Sequence, residues 1–167
     1  MSLTNLTVEN LGPQNYDSPL LSIKPTAGGH IHFVAEDNRV RVDVSTLARS
    51  DESFERAGPR QSIFFDPART RAAIVTCGGL CPGLNDVIRA LVYELYYRYG
   101  VRDVLGIRYG FAGLTADPLH PPIELDPEVV DGIHQKGGTI LGSSRGQQDV
   151  CEMVDTLIAR RIDCLFC

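Results

Sequence analysis

A short run of apolar residues that stops at two glycines constrains the fold of this chain more than any other feature. Residues 72–76 form the run, Gly78 and Gly79 follow it, and Pro82-Gly83 turns the chain into a segment with helical periodicity. A strand that is apolar at successive positions is typical of burial on both faces of a parallel sheet. A glycine turn between such a strand and a helix presents free backbone N–H groups and the positive end of the helix dipole, which together bind phosphate. The segment therefore predicts an α/β fold with an anion-binding turn.

Strand and helix patterns continue to alternate from residue 71 onward. The first helix pattern ends at Gly100 and a second strand is predicted over 103–108. A helix is predicted to begin at Asp126-Pro127, a brief strand at Thr139–Leu141, and a buried strand at 162–167. The predicted apolar stripe of the first helix comprises Leu84, Val87, Ile88, Leu91 and Leu95. A further helix, which Asp149 is expected to cap, has a predicted buried face of Val150, Met153, Val154, Leu157 and Ile158. This order predicts an α/β domain with a mainly parallel sheet and flanking helices.

Residues 1–70 lack this alternation and are rich in proline, glycine and polar residues. We expect them to form an irregular N-terminal arm that precedes the domain over 71–167. Within the arm, 31–34 and 39–44 have strand patterns and flank a turn at 35–38, which allows a β-hairpin.

Composition excludes some classes of function. The formal net charge is −5 and the Lys and Arg residues form no basic run, which argues against nucleic-acid binding. No apolar run reaches membrane-spanning length, and the first ten residues lack a signal-peptide core, so we expect a cytoplasmic protein without a membrane partner. Five cysteines are expected to be free, buried structural thiols in a reducing compartment rather than zinc ligands.

A second glycine-rich segment, 142–146, carries a cation that can reach the same anion. Small residues flank Arg145, so its guanidinium can pair with two phosphate oxygens, although a surface ion pair is the alternative role. Arg89 is ambiguous in the same way: it is exposed, paired with Asp86 or Glu94, or part of an anion site at a subunit contact. Neither glycine segment matches the dinucleotide fingerprint or the Walker A loop, which argues against a nicotinamide-dependent oxidoreductase.

Three segments together resemble a known family. Residues 76–85 followed by Ile88-Arg89, residues 106–114 and residues 137–146 resemble, in order and spacing, the first three conserved blocks of 6-phosphofructokinase. The sequence is most similar to the branch with a long N-terminal extension, whose members are mostly ATP-dependent and in some cases pyrophosphate-dependent. The resemblance implies a partial Rossmann-like phosphofructokinase domain.

The resemblance also implies roles for individual residues. The backbone around Gly78 and Gly79 is expected to meet the terminal phosphates of the donor, and Arg145 to bridge them, with Gly146 beside the nucleotide. Phe111 matches an aromatic position near the nucleoside.

Arg89 matches an arginine that helps to bind an allosteric effector in short bacterial members. Its companion arginine is replaced here by Tyr93, which makes that effector site doubtful.

The reaction implied by the resemblance is transfer of the γ-phosphoryl group of ATP to the 1-hydroxyl of fructose 6-phosphate, with Mg²⁺, in a homo-oligomer. The family's magnesium-binding and general-base aspartates follow the segment that aligns with this chain. We therefore expect a fragment with part of the donor-phosphate site and no catalytic or metal-binding residue. The alternatives are a pyrophosphate-dependent enzyme and a non-catalytic nucleotide-binding or interaction fragment.

Overall fold

The chain forms two compact units, one ending at Phe65 and one spanning Asp66–Cys167. A computed structural model describes residues 11–24, 30–45 and 52–167. In the N-terminal unit, strand β1 (Tyr16–Asp17) pairs antiparallel with β4 (Ser62–Ile63), and β2 (Arg39–Arg41) pairs antiparallel with β3 (Ser53–Glu55). A single 3-10 turn at Pro19–Ser22 follows β1.

The hairpin predicted within the N-terminal arm is wrong. Strand β2 pairs with β3, and residues 31–34 form no strand. The physical reason lies at Val34, whose N–H donates to the Pro59 carbonyl at 2.8 Å while its own carbonyl accepts from the Arg60 guanidinium at 2.8 Å. Both backbone groups that a hairpin ladder would need are therefore already paired.

The C-terminal unit is built on a four-stranded sheet in the order β7-β6-β5-β8. The central strand β5 (Arg71–Val75) runs parallel to β6 (Asp103–Ile107) and to β8 (Cys164–Phe166). The edge strand β7 (Ile123–Glu124), which the sequence pattern did not reveal, runs antiparallel to β6. The predicted α/β fold with a mainly parallel sheet is confirmed.

The core has two parts because successive residues of β5 face opposite sides of the sheet. Ala72 and Ile74 belong to a cluster that includes Ile88 and Val92, whereas Ala73 and Val75 belong to another on the opposite face. These four of the five β5 residues are at most 2% exposed. This full burial explains the uninterrupted apolar run in the sequence.

Helix α1 (Leu84–Tyr93) continues as a π-helical turn (Glu94–Tyr99) that ends at Gly100. Its buried residues are Asn85, Ile88 and Val92, while Val87 is 57% exposed. The predicted stripe is therefore wrong at Val87. A polar residue, Asn85, takes a buried position because both polar atoms of its side chain are hydrogen-bonded, as described below.

The helix predicted from Asp126-Pro127 is also wrong. Asp126 does cap the segment, since its Oδ1 accepts from the N–H groups of Glu128 and Val129 at 2.8 Å each. The chain then continues as turns into a 3-10 turn, Ile133–Gln135, because Gly132 has φ +73° and interrupts the helical backbone.

The brief strand predicted at Thr139–Leu141 is absent. The amide of Ile140 donates to the Asn85 side chain, and the amide of Leu141 donates to the Thr139 hydroxyl. Side chains thus take two of the amides that a sheet would use.

Helix α2 (Val150–Ala159) begins at Asp149, whose Oδ1 accepts from the Glu152 N–H at 2.9 Å. Met153 and Leu157 pack against the core as predicted. The other residues of the predicted buried face are exposed. Thr156, rather than Val150 or Val154, turns inward beside Met153 and Leu157. The exposed members are Val150 at 66%, Val154 at 46% and Ile158 at 69%.

Within the part of the chain that the structure describes, no helix has both the length and the apolar character needed to cross a membrane.

Candidate functional site: two glycine loops around a cleft

An open cleft of about 440 Å³ lies beyond the carboxyl end of β5 and is lined by three segments, 78–80, 137–139 and 142–145. The first segment follows β5 directly and leads into α1. The carboxyl ends of parallel strands are where α/β sheets bind ligands. The two glycine-rich loops predicted from the sequence therefore lie on one cleft.

The first loop exposes its backbone. Gly78 has φ +86°, and a Cβ built at Gly78 or Gly79 would meet nothing within 4 Å. Gly83, with φ +91°, is the N-cap residue of α1 and offers no side chain to the first amides of the helix. Backbone N–H groups at a helix N-terminus attract anions, so this loop has the properties of a phosphate cradle.

Two hydroxyl groups tie the loops together. Ser143 Oγ donates to the Gly78 carbonyl at 2.6 Å, and Thr76 Oγ1 donates to the Gly142 carbonyl at 2.7 Å. The first bond lies at an exposed position, and the second starts from a threonine that is only 8% exposed. These bonds hold the loops, which are more than sixty residues apart in sequence, beside one another.

The third wall of the cleft, 137–139, is fixed by side chains from elsewhere. Asn85 Nδ2 donates to the Lys136 carbonyl and its Oδ1 accepts from the Ile140 N–H, both at 2.9 Å. Thr139 Oγ1 lies 3.0 Å from Thr76 Oγ1. The sequence pattern placed Asn85 off the apolar stripe of α1 and predicted no role for it, which is wrong because the residue is buried with Ile88 and Val92. An Asn three and seven residues before these apolar positions is a usable signal.

Tyr109 contacts the second loop, and no sequence pattern predicted this role. It has φ +57°, its N–H donates to the Leu141 carbonyl at 2.7 Å, and its ring stacks on His120 with centroids 4.2 Å apart. A Cβ at Gly142 would come within 3.0 Å of that ring. Glycine is therefore required at 142 both for its φ of +70° and for space.

Arg145 is exposed and lines the cleft. It is the one charged residue in the three lining segments, and among the described residues no hydrogen bond or ion pair occupies its guanidinium. The described residues therefore give no support to the alternative in which Arg145 forms a surface ion pair. An unpaired guanidinium beside bare backbone amides provides a binding site for a polyanion.

The structure places Gly146 and Phe111 differently from Arg145. Gly146 follows Arg145 with φ +127° but does not line the cleft. Phe111 is half-buried in the 3-10 turn Gly110–Leu114, where it packs against the cluster of Val75 and Ile107. A contact between Phe111 and a nucleoside stays a prediction.

Arg89 does not reach the cleft lining. Its guanidinium carbon lies 4.2 Å from the centre of the Tyr93 ring, and its Nε is buried without a hydrogen-bond partner among the described residues. Glu94, one of the acidic neighbours considered above, pairs instead with Arg98 at 3.3 Å. Arg89 is thus a half-buried group that stacks on an aromatic ring.

The cysteines are free, as predicted, but most are not buried. Cys77, Cys81, Cys151 and Cys167 are exposed, and only Cys164 is partly buried. Burial raises the pKa of the Cys164 thiol, and nearby Asp163 adds to the effect. The expectation of buried structural thiols is therefore wrong for four of the five.

Magnesium, which the resemblance implies, does not fit the residues present. Across residues 11–24, 30–45 and 52–167, no group of three or more His, Cys, Asp or Glu side chains can hold a metal ion. The segments that line the cleft contain no carboxylate. We therefore assign no metal ligand among the residues that the structure describes.

Comparisons with known proteins bear directly on this site. The phosphofructokinase family model matches residues 71–167, which include all three lining segments. The ATP-dependent 6-phosphofructokinase of Amycolatopsis methanolica is 51% identical over 174 residues, covering 99% of this chain and 38% of that protein. The enzyme of the same name from Borreliella burgdorferi is 43% identical, covering 95% of this chain and 36% of its own length.

The fold agrees with these matches. The solved structure of phosphofructokinase from Saccharomyces cerevisiae superimposes with a TM-score of 0.50 at 28% identity, covering 58% of this chain and 13% of the yeast chain. The chain thus spans little more than a third of the curated relatives named above. On the family-model match over residues 71–167, the chain belongs to the phosphofructokinase family.

Proposed function

We propose that this chain supplies the donor-phosphate part of an ATP-dependent 6-phosphofructokinase, which transfers the γ-phosphoryl group of ATP to the 1-hydroxyl of fructose 6-phosphate in the cytoplasm. The relatives named above are both ATP-dependent 6-phosphofructokinases. The observation that carries the proposal is the Ser143–Gly78 hydrogen bond, which sets the bare amides of one loop beside the free guanidinium on the other.

Each loop has a distinct part in the proposed mechanism. The amides around Gly78 and Gly79, with the N-terminus of α1, bind the terminal phosphates of ATP. Arg145 bridges two phosphate oxygens and offsets the negative charge that moves toward the leaving group during transfer. Phosphoryl transfer depends mainly on positioning and electrostatic stabilisation, and both are properties of this cleft.

The remaining residues have secondary roles in the proposal. The resemblance implies that Gly146, which follows Arg145, lies beside the nucleotide. It also implies that Phe111, within the 3-10 turn Gly110–Leu114, lies near the nucleoside. Arg89 makes no contact with the donor in this proposal. Its stacking on Tyr93 gives no support to an effector role.

Other properties of the proposed enzyme come from the resemblance alone. Magnesium takes part through ligands outside the described residues, fructose 6-phosphate binds outside the cleft, and the active form is a homo-oligomer.

The proposal is tested with a full-length enzyme that carries this sequence, in an assay coupled to fructose 1,6-bisphosphate formation. We expect turnover with ATP as donor and none with pyrophosphate. Turnover with pyrophosphate alone, or no phosphorylation of fructose 6-phosphate with either donor, would refute the proposed activity.

A further inference from the structure

The wall at 137–139 has little packing of its own. A Cβ built at Gly137 or Gly138 would meet nothing within 4 Å, so the space on that side of each residue is open. Gly138 also has φ +76°, a left-handed conformation that glycine adopts without steric cost. The side-chain hydrogen bonds that hold this wall are those at its two ends and the contact between the Thr139 and Thr76 hydroxyls.

Asn85 provides bonds at both ends. Its Nδ2 donates to the Lys136 carbonyl on one side of the wall and its Oδ1 accepts from the Ile140 N–H on the other. The residue is 2% exposed, so water does not compete for either bond. One side chain thus fixes the entrance and the exit of the Gly137–Thr139 segment.

The same side chain belongs to the first turn of α1, the helix that follows the phosphate-binding turn at Gly78 and Gly79. Gly83 caps that helix, and Asn85 follows two residues later. Asn85 therefore links the position of the 137–139 wall to the helix that adjoins the phosphate-binding turn. Asn suits this position because it offers a donor and an acceptor in one plane, which neither Asp nor Leu can do.

We propose that Asn85 is a positioning residue for the donor site: it sets the distance between the 137–139 wall and the phosphate-binding turn without touching the donor. This inference rests on the function proposed above. It predicts a selective loss of donor affinity when the side chain changes, because small misplacements of binding groups weaken the interactions of the reacting complex.

The main test replaces Asn85 in the full-length enzyme. Asn85→Asp retains the acceptor for Ile140 but sets a carboxylate oxygen against the Lys136 carbonyl. We expect KM for ATP to rise about tenfold to a hundredfold while KM for fructose 6-phosphate stays unchanged. Asp155→Asn, an exchange between the same two residue types at an exposed position on helix α2, is the matched control and should leave both KM values unchanged.

A second variant and a second measurement keep the test decisive. Asn85→Ser is smaller and avoids the buried charge, so it serves where the Asp variant fails to fold, and it should show the same selective rise. Hydrogen exchange in the ligand-free protein should show a protected Ile140 amide that loses protection in Asn85→Ser. Calorimetric titration with inorganic tripolyphosphate should show a parallel loss of affinity.

Three results would overturn the assignment: an unchanged KM for ATP in a folded variant, an equal rise of KM for both substrates, or a wild-type Ile140 amide that exchanges as fast as an exposed loop. Hydrogen exchange needs neither substrate nor turnover. A failure of the kinase activity itself is therefore distinguished from a failure of this inference.

Discussion

At the scale of single residues, the cleft depends on groups that carry little chemistry of their own. Glycines expose backbone at Gly78 and Gly79, and small hydroxyl residues join the loops. Arg145 adds the one charge within the lining segments. The binding power of the site thus lies in amides and a single guanidinium, so individual substitutions should have separable effects.

The first residue-scale prediction concerns Arg145. Arg145→Ala in the full-length enzyme should lower kcat/KM for ATP about a hundredfold, because it removes the cation expected to offset charge in transfer. Arg145→Lys should recover part of the loss, since Lys keeps the charge but not the fork of donors. Steady-state kinetics measure both effects, and Arg69→Ala, an exposed arginine outside the lining segments, is the control. Full activity of Arg145→Ala would remove this residue from the mechanism.

The second residue-scale prediction concerns Gly142. Gly142→Ala should destabilise the protein by about 1–3 kcal/mol, since the new Cβ meets the Tyr109 ring and the backbone has positive φ. Urea unfolding measures the change in free energy. Gly137→Ala, where φ is not positive and the added Cβ meets nothing within 4 Å, should unfold like the wild type. Equal stability of the two variants would contradict the proposed packing of Tyr109.

At the scale of elements, the parallel strands β5, β6 and β8 and the capping residues were more predictable than the short outer strands and the helix faces. The β5 run and the Asp149 cap were evident from local sequence because full burial and capping have local signatures. The buried face of α2 was not predictable from the sequence. Which of its apolar residues are buried depends on contacts with neighbouring elements. The helix predicted from Asp126 is absent because a good capping residue does not guarantee that a helix continues past Gly132.

An element-scale prediction follows from the cap of α2. Asp149→Ala should cost about 1 kcal/mol of unfolding free energy, because the amide of Glu152 loses its partner. Asp155→Ala, at an exposed position on the same helix, is the matched control and should cost less. Chemical unfolding followed by circular dichroism distinguishes them, and equal losses would argue against the capping role.

A second element-scale prediction concerns the thiol on β8. Because burial raises the pKa of Cys164, a smaller share of this group is thiolate at mildly alkaline pH than of a thiol with the ordinary pKa. We expect iodoacetamide to label Cys164 more slowly than the exposed Cys151, with the difference narrowing as pH rises through the raised pKa. Mass spectrometry of the labelled peptides tests this order, and faster labelling of Cys164 would contradict it.

At the scale of the whole molecule, the sequence predicted the fold class and the pair of loops but not the contacts that join them. The two glycine segments were recognisable because their composition is local. The bonds from Thr76, Asn85 and Ser143 cross more than fifty residues of sequence, and no local pattern identifies such partners. The role of Tyr109 was not predicted either, because an aromatic residue in a loop gives no sign of positive φ.

A whole-molecule prediction concerns the 167 residues alone. The chain spans 38% of the Amycolatopsis methanolica relative, and its described residues form no metal-binding cluster. We expect the isolated chain to show no phosphorylation of fructose 6-phosphate in the coupled assay, with the full-length enzyme as positive control. Measurable turnover by the isolated chain would show that the described cleft suffices for the reaction.

The central place of β5 makes the two sides of the cleft unequal in stiffness. The Gly78 turn is anchored to a strand with hydrogen-bonded neighbours on both edges and buried residues on both faces, so it can shift little. Its counterpart at Gly142 is held by the Ser143–Gly78 and Thr76–Gly142 hydrogen bonds, and of these two only the Ser143 bond lies at an exposed position, where solvent can replace it at small energetic cost. Loss of that bond should therefore displace the Arg145 side of the cleft more than the Gly78 side.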